Sequence, residues 1–329
     1  MKVVIFGAGA TGARIARQLR SSGLVAWVEI RDQQEAKARE LVNTLGSGTV
    51  YGSGRGIDAD VDAVVVATSP GSHAAIARRA VHRGVPVVST SNQMSEVRRL
   101  LTLEQEARHQ GVAVVIGAGF MPGLTGLLAR HGATELDRVE EVHVAKVGTG
   151  GPACARQHHR ALSSTGLDWR DGKWTRRAGG SGRELVYFPD PIGGRDCYRA
   201  GLPDALLLVP EFEGVERVTA RQAATRRDRL TAPLPMMRRP HAEGGIGAVR
   251  VEVRGRVGIE RKVLVMGAIE RPAVAAGAVA ACTTLHVLEG RAQAGAYGLA
   301  GMAESLTLLH AVADCGVRPM RFEGVTTFL

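Results

Sequence analysis

The chain has 329 residues, of which 45% are hydrophobic, and carries a formal charge of +10 from 42 basic and 32 acidic side chains. That length suits two domains of ordinary size with ample core, while the lack of any apolar run of about 18 residues and of a signal-peptide pattern argues against a membrane protein and for the cytoplasm. Only five basic residues are lysine, and the arginines are spread without a long basic block or interleaved aromatics, which argues against nucleic acid as partner and leaves a field favourable to small anionic ligands.

Residues 3–12 read VVIFGAGATG. A run of β-forming apolar residues feeds into Gly7-x-Gly9-x-x-Gly12, and from Thr11 onward the apolar positions take helical spacing. This is the strand, turn and helix of a dinucleotide-binding fold. Gly7 permits the turn, Gly9 lets a pyrophosphate approach the backbone beside Ala10 and Thr11, and Gly12 lets the helix pack on the strand. The free N–H groups of the helix start would face the phosphates.

The first helix ends near Gly23, and a second strand is predicted over 26–30. The residues that leave such a strand contact the adenosine ribose, where an acid suits a free 2′-hydroxyl and arginine a 2′-phosphate. Here they are Glu29-Ile30-Arg31-Asp32. Arg31 favours NADP, while Glu29 and Asp32 keep NAD open.

A helix is predicted over 33–45, then a Gly/Ser-rich connection over 46–56 with a short strand near 49–51. The apolar run 62–68 reads as a buried parallel strand with Thr68, Ser69 and Pro70 at its carboxyl end, the edge where such sheets bind ligands. Ser72 is the expected N-cap of a helix over 73–83, stopped by Gly84. A strand over 85–89 runs into Thr90-Ser91-Asn92, a helix follows to His109, and a strand over 112–116 completes about six β-α units. Such alternation predicts an α/β, Rossmann-type doubly wound parallel sheet.

Residues 116–124 read IGAGFMPGL. Pro122 should hold Met121 extended and open a helix to about His131, its N-terminus aimed at the cofactor edge, so that Phe120, Met121, Pro122 and Gly123 are expected against the substrate.

The GAGATG turn, the Arg31 strand exit, the Ala67-Thr68 strand end and above all GAGFMPGL resemble the saccharopine dehydrogenase/reductase-like proteins, whose relatives include carboxynorspermidine dehydrogenase and homospermidine synthase. The resemblance covers residues 1 to about 130 and is looser through Gly148-Thr149-Gly150-Gly151-Pro152 and Phe188-Pro189-Asp190. It implies NAD(P)-dependent chemistry at a carbon–nitrogen bond of an amino acid or polyamine, and a homodimer. One position departs from it, since Ser89 stands where such proteins often carry an acid before Thr90-Ser91. The Glu-Lys-Pro signature expected there in glucose-fructose oxidoreductase-like enzymes is also absent.

Beyond Gly132 the pattern changes. Residues 139–147 alternate as a strand carrying Lys146, residues 249–266 form an antiparallel pair, and residues 153–241 between them are rich in Gly, Pro and Arg, as expected of an α+β substrate domain inserted into the nucleotide domain, with mobile connections where binding residues concentrate. Helices are predicted from Pro272 to Leu288 and over 301–314. The expected division is a dinucleotide-binding domain over 1–131, an α+β substrate and dimerisation domain over 132–268, and helices over 269–329 that return to the first.

No proton donor stands out. His158, Tyr198 and Lys146 are candidates, Gly150, Gly151 and Arg195 are candidate substrate contacts, and His241 lies by a similar turn. Cys282-Thr283-Thr284 looks like a nucleophile segment but falls within an alanine-rich helix, where a packed cysteine is expected. The adjacent His158 and His159 cannot face one another on a helix, and Cys154, Cys197, Cys282 and Cys315 lack CxxC spacing, so neither a metal nor a disulfide framework is expected. The expected activity is that of an NADP-preferring oxidoreductase, with NAD possible, acting on the C–N bond of a small substrate bearing amine or carboxylate groups. A dinucleotide-binding sensor without turnover and a dehydrogenase acting on a carbonyl or alcohol are the alternatives.

Overall fold

A computed structural model describes residues 1–54, 56–236 and 240–322. The first part of the chain alternates as β1 (Lys2–Phe6), α1 (Ala10–Ser21), β2 (Trp27–Arg31), α2 (Glu35–Leu45), β3 (Thr49–Tyr51), β4 (Ala63–Val66), α3 (His73–Val81), β5 (Val87–Ser89), α4 (Met94–Leu101), α5 (Glu104–His109) and β6 (Ala113–Ile116). All its strand pairings are parallel. Strand residues alternate between faces, as the pleat requires. Val3, Ile5, Val28, Ile30, Val65 and Val115 join one core with α1, and Val4, Phe6, Val64, Val66, Val87 and Val114 join another with α3 and α4.

From β6 the chain runs through α6 (Leu124–Ala133) into β7 (Arg138–Val147), α7 (Pro152–Ala161), β8 (Gly166–Arg170), β9 (Lys173–Arg177), β10 (Glu184–Phe188), β11 (Gly193–Tyr198), α8 (Asp204–Leu208), β12 (Arg217–Ala223), α9 (Arg226–Thr231), β13 (Gly247–Val257) and β14 (Glu260–Glu270). These strands build a second, mixed sheet in the order β10-β11-β12-β7-β13-β14, with β8 beside β12 and β9 beside β8. Only β12 and β7 run parallel; the other pairs are antiparallel. Val142, Val144, Val251, Val253 and Met266 face Leu127 and Leu128 of α6 in the core that also holds α1. The two sheets therefore share one apolar interior.

The chain then returns twice. After α10 (Pro272–Leu288), which packs along α1, β15 (Gly295–Gly298) pairs in parallel with β6 and completes a seven-stranded sheet in the order β15-β6-β5-β4-β1-β2-β3. After α11 (Ser305–Asp314), β16 (Pro319–Phe322) adds to β14 in the second sheet.

Four sequence expectations change. Within 153–241 the expected mobile connections give way, among the described residues, to helices and to five strands of the second sheet. The segment from Met94 to His109 is two helices, broken at Thr102 and Leu103. The helix after GAGFMPGL starts at Leu124, with Gly123 as N-cap at φ 126°, so Pro122 belongs to the preceding turn and its bond to Met121 is cis. Finally, a strand as well as helices rejoins the first sheet.

Candidate functional site

The carboxyl ends of β1, β4 and β5 open onto a cleft of about 580 Å³, within the ~300–1,000 Å³ usual for small-molecule pockets. Gly7, Gly9, Ala10 and Thr11 line one end, Thr68 to Ser72 with Thr90 and Asn92 the middle, and Gly119 to Pro122 with Lys146, Gly148, Gly150 to Cys154, Arg156 and Gln157 the far side. Pro272, Ala273 and Ala276 of α10 close the floor.

The glycine turn is sterically determined. Gly7 sits at φ 111°, its N–H donates to the Arg31 carbonyl oxygen at 2.7 Å, and a Cβ there would press on the carbonyl of Ala67. A Cβ on Gly12 would collide with the Gly7 carbonyl oxygen, so α1 can approach β1 only with glycine there. Gly9 is different: nothing stands within 4 Å of the place its Cβ would occupy. It is the N-cap of α1 and offers no side-chain cap, leaving the first-turn amides free to meet an anion. Gly12 itself is buried behind the turn and does not line the cleft.

At the exit of β2 the arrangement differs from the expected one. Arg31 shares a sheet face with Glu29, since strand residues two apart point the same way, and is only 6% exposed. Its Nε donates to Glu29 Oε1 at 2.6 Å, its guanidinium stacks 5.4 Å from the Phe6 ring centroid, and Nη1 donates to the carbonyls of Gly54 and Gly56. Those partners turn Arg31 away from the cleft, so it is not placed to receive a 2′-phosphate. Asp32 stands there instead, accepting the Ala8 N–H at 2.7 Å on Oδ2 and the Gln34 N–H at 2.7 Å on Oδ1. Lys37 of α2 lines the same end, a residue the sequence reading did not single out.

The middle of the cleft rests on a buried polar pair. His73 Nε2 lies 3.0 Å from the Thr68 carbonyl oxygen, which can only accept, so Nε2 carries the proton and Nδ1 accepts from Ser89 Oγ at 2.9 Å. Burial holds the imidazole below its usual pKa and therefore neutral. Ser89 thus supports the strand end from behind, and Ser91 is likewise buried behind the cleft, while Thr90 and Asn92 reach it.

On the far side, Lys146 at the end of β7 is 4% exposed, lines the cleft and has no hydrogen bond or ion pair among the described residues. Its charge acts on the Asp204 carboxyl behind Pro122, and an anion or developing negative charge in the cleft would give it a further partner. Behind Pro122 lies Asp204, 1% exposed, whose Oδ1 accepts from Thr125 Oγ1 at 3.2 Å while Oδ2 has no partner. Burial raises its pKa to about 6 against the opposing pull of Lys146. Asp204 was not visible from the sequence, where it is one of many acids next to a proline. The N-cap of α7, Gly151, faces α1: a Cβ added to it would stand 3.4 Å from the Cβ of Ala10. Two helix starts therefore flank the cleft.

The other candidates lie elsewhere. His158 on α7 is turned into the protein, its Nε2 3.3 Å from the Ala223 carbonyl oxygen and its Nδ1 unpartnered; burial, assisted by Lys146, drives its pKa down to about 3, which removes it as an acid at neutral pH. Tyr198 is buried under Arg229, whose guanidinium carbon is 4.3 Å from the ring centroid. Arg195 is exposed on the β10–β11 hairpin, and His241 is exposed, so neither lines the cleft. Cys282 is buried in α10, also away from it. Among the described residues no three His, Cys, Asp or Glu side chains converge as a metal site, and no helix is long and apolar enough to cross a membrane.

Residues 1–118 match the family described as oxidoreductase family, NAD-binding Rossmann fold, of the Gfo/Idh/MocA type. Across both domains the chain is similar to apo saccharopine dehydrogenase (L-Glu forming) from Saccharomyces cerevisiae, at 15% identity and a TM-score of 0.69 over 98% of this chain and 99% of that one. A probable dehydrogenase from Thermotoga maritima is 13% identical with a TM-score of 0.49 over 98% of each chain. A myo-inositol dehydrogenase from Corynebacterium glutamicum is 13% identical with a TM-score of 0.48 over 99% of each. At such identities the likeness to the yeast enzyme is one of fold.

Proposed function

We propose that the protein is an NAD(P)-dependent oxidoreductase that reduces an imine, or oxidises the corresponding amine, of a small substrate. The observation that carries this reading is the juxtaposition, across one cleft, of a coenzyme cradle with Lys146, a cation that lines the cleft and makes no hydrogen bond among the described residues. The cradle fits a dinucleotide: Gly9 leaves open space over the free amides of α1, and the two ends of the cleft are continuous. Bound NAD(P)H would supply a hydride.

The chain's own residues do the rest. The α1 amides hold the pyrophosphate, and Thr68 to Pro70 with Thr90 and Asn92 flank the reacting ring at the strand ends. Phe120 to Pro122 and Gly150 to Cys154, with Arg156 and Gln157, close over the substrate and exclude water, with Gly123 setting the Phe120 to Pro122 turn from behind. Lys146 donates the proton that the substrate nitrogen must gain when its carbon is reduced. A carbonyl substrate, whose oxygen needs the same proton, is the second reading. Screening turnover with paired amines, keto acids and alcohols separates the two.

For the coenzyme, Asp32 at the ribose end favours NAD, as a carboxylate does beside a free 2′-hydroxyl, and Lys37 lining that end would support a 2′-phosphate. Titration with NADH and NADPH, followed by nucleotide fluorescence, tests the reading at its root. Binding of at least one is expected, and binding of neither overturns it. In K146M, coenzyme affinity should stay within about twofold while turnover falls by two orders of magnitude or more.

We further propose a homodimer formed along β10, an edge strand of the second sheet on which Leu185 and Tyr187 are 56% and 63% exposed.

A further inference from the structure

Two of the four cysteines meet where α10 passes the end of α11. Cys282 is buried in α10, Cys315 is the half-buried C-cap of α11, and their sulfurs lie 3.6 Å apart. In its thiol form Cys315 also donates to Gln18 Oε1 of α1, at 3.3 Å. The other two stand apart: Cys154 lines the cleft, where its sulfur accepts the Gly150 N–H at 3.4 Å, and Cys197 is buried, its thiol pushed up to about 12 by desolvation. Neither has a thiol neighbour.

We propose that Cys282 and Cys315 form an oxidation site that reacts with a hydroperoxide and closes to a disulfide. Three features argue for it. The two sulfurs are already in contact at 3.6 Å and have to close to about 2.05 Å to bond. Cys315 is the more accessible of the two, and donation from the Cys282 thiol onto its sulfur lowers its pKa, which favours the thiolate there. Cys282 is held in the thiol form by burial and by the same contact, ready to act second.

The steps balance. The Cys315 thiolate attacks the terminal hydroperoxide oxygen, the O–O bond breaks, and with one proton taken up the products are Cys315 sulfenic acid and the corresponding alcohol, or water when the oxidant is hydrogen peroxide. The Cys282 sulfur then displaces the sulfenic hydroxyl, which leaves as water with the Cys282 proton. The S–S bond formed ties α10, whose first residues floor the cleft, to the segment that leads into β16.

The test treats the full chain with one equivalent of hydrogen peroxide at pH 7.5, alkylates remaining thiols under denaturing conditions and maps the peptides by mass spectrometry. The expected product is an intramolecular cross-link of the Cys282 and Cys315 peptides with loss of two hydrogens. The oxidised protein should also melt about 5 °C higher, as a cross-link closing a loop of this size constrains the unfolded chain. C282S should instead accumulate a Cys315 sulfenate that dimedone traps, with no rise in melting temperature. Oxidation confined to Cys154, with Cys282 and Cys315 recovered as alkylated thiols, overturns the proposal. So does a wild-type chain that carries Cys315 to sulfinic acid without the cross-link.

Discussion

At the scale of single residues, neighbouring glycines in one turn do different work. Gly9→Val fills open space, so the melting temperature should stay within about 2 °C while NADH affinity drops at least tenfold; unchanged affinity would remove the pyrophosphate from this turn. Gly12→Val has no room against the Gly7 carbonyl and should instead lower the melting temperature by several degrees. The buried titratable pair has opposite signs. His158 has a folded pKa of about 3 against 6.5 unfolded, so the stability it contributes is present above pH 6.5 and is lost as pH falls toward 3. Asp204 has a folded value of about 6 against 3.8, so its contribution, ~3 kcal/mol, is present below 3.8 and lost as pH rises through 6. In the wild type the two partly cancel. D204N should therefore lose stability more steeply than wild type between pH 6.5 and 4 and should melt higher at pH 8; parallel melting curves would show that Asp204 is not held in its acid form.

At the scale of elements, β10 and β11 separate two roles that the sequence left together. Arg195 rides on this hairpin away from the cleft, so R195A should leave coenzyme affinity unchanged within error. L185D with Y187D should convert the proposed dimer to a monomer in analytical ultracentrifugation, and a wild-type monomer at micromolar concentration would end the dimer reading. The elements around the coenzyme were legible because each is coded locally: the glycine turn, the Val-rich strands and Pro272 at the start of α10 carry their signals within a few residues. By contrast α7 announces itself only by Pro152 at its first turn, amid glycines that read as loop. Strands β8 to β12 alternate weakly because their outward faces carry Arg, Lys and Asp, and their pairing partners lie far away in sequence. For a related reason the sequence does not reveal where Arg31 points: the loop whose carbonyls capture it is distant in sequence.

At the scale of the whole molecule, the chain passes between the two sheets three times after β6: into the second sheet at β7, back through α10 and β15, and out again to β16. The first sheet is consequently incomplete in the chain up to residue 131. Its β6 edge, the face of α1 that α10 covers and the carboxylate of Glu104 that accepts the Ala296 N–H would all be bare. A fragment of residues 1–131 should fail to give a cooperative melt or dispersed amide resonances, and a well-folded fragment would mean that the returning segments are accessories.

The same closure sets a timetable during synthesis. Glu104 and Ala296 are 192 residues apart, and at ~5–20 residues per second a ribosome needs about 10 to 40 s to deliver the second after the first. Throughout that interval the nascent chain presents an open β6 edge beside a nearly finished sheet, which is a substrate for any chaperone that shields strand edges and a point where slow translation or low temperature should alter the yield of native protein.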